Sequence, residues 1–229
     1  IVRDAEGNVV YEADGTPKKM ALFFDTETLK PFREYEFKGG DAIYEDINHD
    51  GTINQLDIVY LGNSNPAAQG GFGFTFRYKK WSLKTSFTYR WDVDVVNTAR
   101  MAFENMSSFD NQSVAVNWRW RKEGDITEIP RAVNGNSNAY NYLGSDRYVE
   151  DASYVRLSYV QLSYAFEPDW LNKFGMKSLQ LYASADNLCF WTKYSGLDPE
   201  VGSGSKGIAW DSSRTPRPRS YTVSISVGF

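Results

Sequence analysis

The chain has 229 residues, 24% charged, 41% apolar and 16% aromatic, with a formal net charge of −4. No basic stripe is present, which speaks against nucleic acid as a partner; a single cysteine, Cys189, and a single histidine, His49, exclude an intrachain disulfide and a Cys/His zinc cluster. No stretch approaches the roughly 18 consecutive apolar residues of a transmembrane helix, but the low mean hydropathy of −0.51 is compatible with membrane-crossing strands, whose lumen-facing half is polar.

Residues 1–68 read as a long polar region with one chemical constellation. In Asp46-Ile-Asn48-His-Asp50-Gly51-Thr52, followed by Asp57, the spacing is that of a calcium loop. Asp46, Asn48 and Asp50 offer side-chain oxygens, Gly51 permits the sharp turn, Thr52 offers its backbone carbonyl and Asp57 closes the set. A hard Ca²⁺ ion takes about six to eight oxygens, and this spacing wraps them around one point. Asp57 stands where an EF-hand has Glu, and the Ile58-Val59-Tyr60 flank reads as β, so a lone dockerin-like loop with structural Ca²⁺ fits better than a full EF-hand. The alternative is an Asx-rich turn without metal.

From Gly70 to Tyr78 the even positions Phe72, Phe74, Phe76 and Tyr78 are aromatic. After Lys79-Lys80 the pattern restarts with Trp81, Leu83, Phe87, Tyr89 and Trp91, so strands at about 70–79 and 81–91 form a hairpin. Gly70-Gly71-Phe72-Gly73 does not lead into a helix and is no phosphate loop. Residues 92–152 form a long excursion; 98–107 fit a short helix, and Val114, Val116, Trp118 and Trp120 alternate in a way that fits an additional strand. A further strand spans about 153–166, with a slip of phase between Tyr159 and Val160 that predicts a bulge. Residues 167–175 read as a compact turn, one helical turn capped by Gly175. The next strand, about 177–190, places Leu179, Leu181, Ala183 and Ala185 on one face. After the long segment 192–218 comes the clearest strand, 219–229: Tyr221, Val223, Ile225, Val227 and Phe229 alternate with small or polar residues.

The connections are short at 79–80 and 167–176 and long at 1–68, 92–152 and 192–218. Antiparallel strands put both short joints on one rim and the long segments on the other, the pattern of an outer-membrane barrel with periplasmic turns and extracellular loops. Residues 1–68 are thus expected as an extracellular loop region and 69–229 as barrel, with aromatic girdles at the membrane interfaces and the last strand running toward the periplasm. A barrel of about 22 strands of about 10 residues would use about 220 residues without loops. Five strands are an odd number, so the chain reads as one sector of a larger, all-β barrel. It starts with Ile1 and shows no signal peptide, so a leader removed or a start elsewhere is expected.

No nucleophile motif or catalytic set is present, and no enzyme is expected. Trp118, Trp120, Trp191 and Trp210 lie in or beside the long segments; they either pack the loops or stack on a ligand.

Several stretches together resemble a family. They are Gly40-Asp41 followed by Tyr44-Glu45-Asp46 and the 46–51 motif; Gly62-Asn63-Ser64-Asn65-Pro66; Asp146 through Leu157; Asn187-Leu188; Lys193 through Val201; and Pro216 through Phe229. In this order they are similar to the C-terminal region of SusC/RagA-type TonB-dependent outer-membrane transporters of Bacteroidetes, over about residues 36–229. The resemblance implies import of glycans or peptides, a SusD-like surface lipoprotein as lid, and energy from TonB through an upstream region absent from this sequence. It also implies a multi-pass barrel in outer-membrane lipid, completed by the rest of the same barrel, with Ca²⁺ bracing an extracellular loop. Phe229 also looks like the terminal signal read by the barrel-assembly machinery. Two alternatives are a structural or docking barrel without active transport, and a secreted calcium-binding β-protein that adheres to glycans.

Overall fold

A computed structural model describes residues 2–4, 6–18, 21–22, 37–134, 141–200 and 207–229. Val201, in the motif that begins at Lys193, lies outside the described residues. The chain divides into two compact units, residues 1–61 with 100–145, and residues 62–99 with 146–229.

In the first unit, strand β1 (Ala21–Leu22) pairs in parallel with β2 (Thr52–Ile53). Its small apolar core is Met106, Val116 and Ile129, with Ala115 and Tyr142 packed against them. The alternation at 114–120 does not make a strand. Residues Val114–Trp118 form a 3-10 helix, because the Ser113 side chain accepts the Ala115 N–H and starts a turn. Val116 then points inward while Val114 and Trp118 stay exposed. Asp41 is buried against Arg131, whose Nε donates to it at 2.6 Å, and the Tyr44 hydroxyl accepts the Leu143 N–H at 2.9 Å.

In the second unit, β3 (Ala68–Tyr78), β4 (Trp81–Trp91), β7 (Tyr154–Ala165), β8 (Ser178–Thr192) and β9 (Ser220–Gly228) form one antiparallel sheet in the order β3-β4-β7-β8-β9. The short strands β5 (Asp94–Val96) and β6 (Val149–Asp151) pair separately. Helix α1 (Thr98–Glu104) follows β5 and begins in this unit, its residues from Arg100 on belonging to the first. The β3–β4 joint is Lys79-Lys80, with Lys79 in the left-handed region at φ 52°, a conformation that glycine or asparagine adopts more readily and that the flanking ladder imposes here. Between β7 and β8, helix α2 (Pro168–Leu171) runs into a 3-10 turn closed by Gly175 at φ 69°, whose N–H bonds the Asn172 carbonyl. Leu171 is fully buried in that turn.

The β7 bulge is one extra residue, Ser158. Phe87 pairs with Leu157 and Ser86 with Tyr159, so Ser158 has no strand partner and instead shares a 2.8 Å hydroxyl bond with Thr88. On the β8 side the same irregularity places Asn187 at φ 53°.

At the end of the sheet opposite the short joints, Val93, Val95, Ala152, Tyr194 and Ala209 form a second core. Polar groups close it. Asp211 is buried, accepts the Tyr194 hydroxyl at 2.5 Å and receives the Thr98 hydroxyl on its carbonyl. Burial first, and then the bond to Asp211, push the Tyr194 phenol well above its ordinary range.

Candidate functional site

The sheet has two chemically distinct faces, and the register shows them without ambiguity. Because directly paired residues share a face, one line across the strands reads Phe76, Leu83, Leu162, Ala183, Val223. The adjacent line, one residue along, reads Thr75, Lys84, Gln161, Ser184, Thr222. The next pair repeats the rule: Tyr78, Trp81, Tyr164, Leu181, Ile225 against Arg77, Ser82, Ser163, Tyr182, Ser224. The apolar face is not covered by any described part of the chain across much of its width; Phe72, Phe74, Phe76, Val223 and Ile225 are all exposed. Water on such a face is unfavourable at roughly 25 cal/mol per Å² of apolar surface, so another apolar medium or partner must cover it.

Aromatic side chains edge this face at both ends. At the short-joint end Trp81 lies 4.7 Å from Tyr164, Tyr164 4.9 Å from Phe166, Phe166 6.0 Å from Trp170 and Trp170 5.4 Å from Phe174, centroid to centroid. At the other end stand Tyr89, Trp91 and Trp191. Phe229, directly after β9, is exposed and continues the apolar set of Tyr221, Val223, Ile225 and Val227.

The 46–57 loop lies in the first unit. Its side-chain oxygens accept backbone N–H groups of the loop itself. Asp46 Oδ2 accepts the Gly51 N–H at 2.8 Å, Asn48 Oδ1 the Asp50 N–H at 3.0 Å, and Asp50 Oδ1 the Thr52 N–H at 2.7 Å. Asp57 spans the loop: Oδ1 accepts the Ile47 N–H at 2.9 Å and Oδ2 the Asn54 N–H at 2.8 Å, which also caps the 3-10 turn Gln55–Asp57. His49 and Gly51 take left-handed backbone, φ 58° and 85°, as a tight loop of this length requires. Asp46 is only 5% exposed, and its Oδ1 is buried with no hydrogen-bond partner. Among the described residues no three His, Cys, Asp or Glu side chains gather as a metal cluster, so a cation here would have to draw also on the Asn48 amide and the Thr52 carbonyl. The all-oxygen donor set and the orphaned Asp46 oxygen fit a hard cation such as Ca²⁺. Lys18 Nζ donates to the Asp50 carbonyl at 2.9 Å and puts a positive charge at the loop's edge.

The four singled-out tryptophans fall in both units. Trp118 is exposed in the first unit, and Trp120 lies over Gly39 and Gly40, where a Cβ on either glycine would meet the indole. In the second unit, Trp191 stands on the apolar face opposite Val155, and Trp210 is half exposed where it bridges Val96. One cluster was not singled out by its spacing: Arg156, Asn187, Asp198 and Glu200 meet on the polar face of β7 and β8. Its residues lie within the stretches Asp146 through Leu157, Asn187-Leu188 and Lys193 through Val201, but nothing in their spacing says that they meet.

No protein-family model matches the chain. It is similar to TonB-dependent receptor P39 of Formosa agariphila, 31% identical over 211 residues, covering 90% of this chain and 20% of that protein. It is also similar to TonB-dependent receptor SusC of Bacteroides thetaiotaomicron, 26% identical over 199 residues, covering 82% of this chain and 18% of SusC. Among solved structures, the RagAB peptide transporter matches 73% of this chain and 18% of its own, at 25% identity and a TM-score of 0.61. The RagAB peptide importer in its open-open state covers 94% of this chain and 23% of that one, with a TM-score of 0.65 at 21% identity, a likeness of fold. The chain thus spans about a fifth of the length of the curated relatives it matches.

Proposed function

From a likeness to the C-terminal region of SusC/RagA-type TonB-dependent receptors that runs through both sequence and fold, we propose that this chain forms a sector of the wall of an outer-membrane barrel that imports glycans or peptides. The observation that carries the membrane part is the two-faced sheet. Its apolar face meets lipid and its polar face meets the lumen. From Trp81 to Trp91, about ten steps of about 3.3 Å give about 33 Å along the strand, or about 23 Å across the membrane at a tilt near 45°. That matches the apolar band of about 25 Å between the aromatic girdles of such barrels. Strands of 11, 11, 12, 15 and 9 residues are long enough to cross.

The short joints after β3 and β7 are then periplasmic turns, and the segments entering β3, leaving β4 and leaving β8 are extracellular. Trp81, Tyr164, Phe166 and Trp170 anchor the periplasmic interface, where an amphipathic ring is most stable. TonB supplies energy through a region upstream, and a SusD-like surface lipoprotein closes over the loops. Trp118 and Trp210, exposed on the long segments, are candidate contacts for the substrate. The RagAB likeness favours peptides, with glycans as the alternative substrate. Asp46, Asn48, Asp50, the Thr52 carbonyl and Asp57 would hold Ca²⁺, which would brace the loop as a fixed turn.

Two measurements test this. The full-length protein should fractionate with the outer membrane and resist extraction by salt and alkali. Uptake of its substrate should stop when the TonB-binding segment of the full-length protein is deleted; unchanged uptake would leave a docking barrel without active transport.

A further inference from the structure

The polar face is covered at one place by the chain's own β8–β9 segment. Arg156 stands on that face of β7, in register with Thr88 on β4 and Phe190 on β8. Its side chain is only 2% exposed. Nη1 donates to the Asn187 amide oxygen and Nη2 to Asp198, and Nε lies 3.6 Å from Glu200. The guanidinium plane sits over Phe190, 4.9 Å from the ring centroid. The returning end of the same segment is tied in as well: Arg217 Nη2 donates to Glu200 at 3.1 Å, and Asn187 Nδ2 donates to the Arg217 carbonyl at 2.7 Å.

These contacts fix the side on which the segment lies. A side chain in a strand reaches one face only, so the carboxylates that Arg156 binds lie on the polar face. Residues 198–200 therefore fold back over the sheet rather than standing outward from the strand end. An exposed pair would hold such a segment loosely. A buried arginine shared among an amide and two carboxylates, with its face against an aromatic ring, fixes it, because each partner removed leaves a desolvated charge behind. Elsewhere on this face the cations Arg77 and Lys84 stay exposed, so the burial of Arg156 comes from the segment that returns over it and not from the sheet.

Resting on the reading of the polar face as the lumen, we propose that the segment around Asp198 and Glu200 is a strap laid inward across the lumen wall, narrowing the extracellular mouth, and that Arg156 is the positioning residue that latches it. The strap presents Leu197, which is exposed, to anything entering.

The test uses the full-length protein in its own outer membrane, carrying Leu197→Cys. Whole cells are labelled with a small membrane-impermeant maleimide and with a maleimide on a polyethylene glycol chain of several kilodaltons. With Arg156 present, the small reagent should react at least ten-fold faster relative to the large one than it does at a freely exposed loop cysteine. Arg156→Ala should erase that size discrimination, and Arg156→Lys, which keeps the charge but cannot bridge Asn187 and Asp198 together, should restore part of it. Equal discrimination in Arg156→Ala and the parent, with equal surface amounts, overturns the strap. If Arg156→Ala does not assemble, the double change Asp198→Ala with Glu200→Ala frees the strap from its own side; discrimination that survives it overturns the proposal equally. Failure of the underlying reading shows separately, as a parent protein recovered outside the outer-membrane fraction.

Discussion

A lysine placed at Ile225 should destabilise the protein far more than one placed at its neighbour Ser224. The two residues are adjacent in β9 and differ only in face: Ile225 pairs with Leu181 on the apolar side and Ser224 with Tyr182 on the polar side. Ile225 lies midway between Tyr221 and Phe229 and is exposed within this chain, so a substituted side chain there meets the surrounding medium and not a protein core. If that medium is the bilayer interior, a lysine near the midplane costs about 2–4 kcal/mol, falling to about 0–1 kcal/mol near the interfaces. The larger figure corresponds to roughly a 30-fold to 1,000-fold shift in the folding equilibrium. Ser224→Lys enters the aqueous side and should cost less than about 1 kcal/mol, and Val227→Lys, near the periplasmic end, should fall between. The assay is urea-dependent unfolding of the full-length protein in lipid vesicles, read by heat-modifiable gel mobility and tryptophan fluorescence. Equal costs for Ile225→Lys and Ser224→Lys, or a larger one for Ser224→Lys, would refute the assignment of faces.

Calorimetric titration of Ca²⁺ into the extracted protein should give binding heat that Asp46→Ala and Asp50→Ala each abolish, and chelation should raise proteolysis within residues 46–57; no heat and no change in cleavage would leave an Asx turn without metal. Leu171→Ala removes a fully buried side chain from the β7–β8 turn and should cost about 2–5 kcal/mol, the range for a cavity that relaxes poorly, as measured by urea unfolding. Tyr194→Phe leaves the buried Asp211 carboxylate short of a donor and should cost about 1–3 kcal/mol. Since the folded Tyr194 phenol titrates above its ordinary value, its neutral form contributes stability that is fully present below about pH 10 and is lost as pH rises through the folded value. Alkaline loosening of the 193–213 region, followed by hydrogen exchange, should therefore be seen in the parent and be blunted in Tyr194→Phe.

Period-2 alternation is intrinsic to a strand, so the faces of β3 and β9 could be read from Phe72, Phe74, Phe76 and Tyr78 and from Tyr221, Val223, Ile225 and Val227 alone. The same signal misleads over short spans. Val114, Val116, Trp118 and Trp120 alternate, yet the Ser113 cap turns the chain into a 3-10 helix, because a local hydrogen bond decides a segment that has no partner strand. At the bulge, the sequence shows only that parity changes near Tyr159; that Ser158 is the extra residue is set by the register with β4, a strand distant in sequence. The 46–57 spacing is legible because all its oxygens are local. The burial of Asp46, which gives the loop its orphaned oxygen, depends on the fold around it. The Arg156 cluster was hidden for the same reason: its residues sit in recognisable motifs, but nothing in their spacing says that the Asp198 segment folds back over β7.

The most direct measurement of the central claim is a cysteine scan along β9 of the full-length protein in intact outer membranes, from Tyr221 to Gly228. Tyr221→Cys, Val223→Cys, Ile225→Cys and Val227→Cys should react with a lipid-soluble maleimide and resist a charged one, while Thr222→Cys, Ser224→Cys and Ser226→Cys should show the reverse or be shielded from both. A period-2 pattern in that phase is the expected result. Uniform reaction of all positions with the charged reagent would place both faces in water and contradict a membrane-spanning wall.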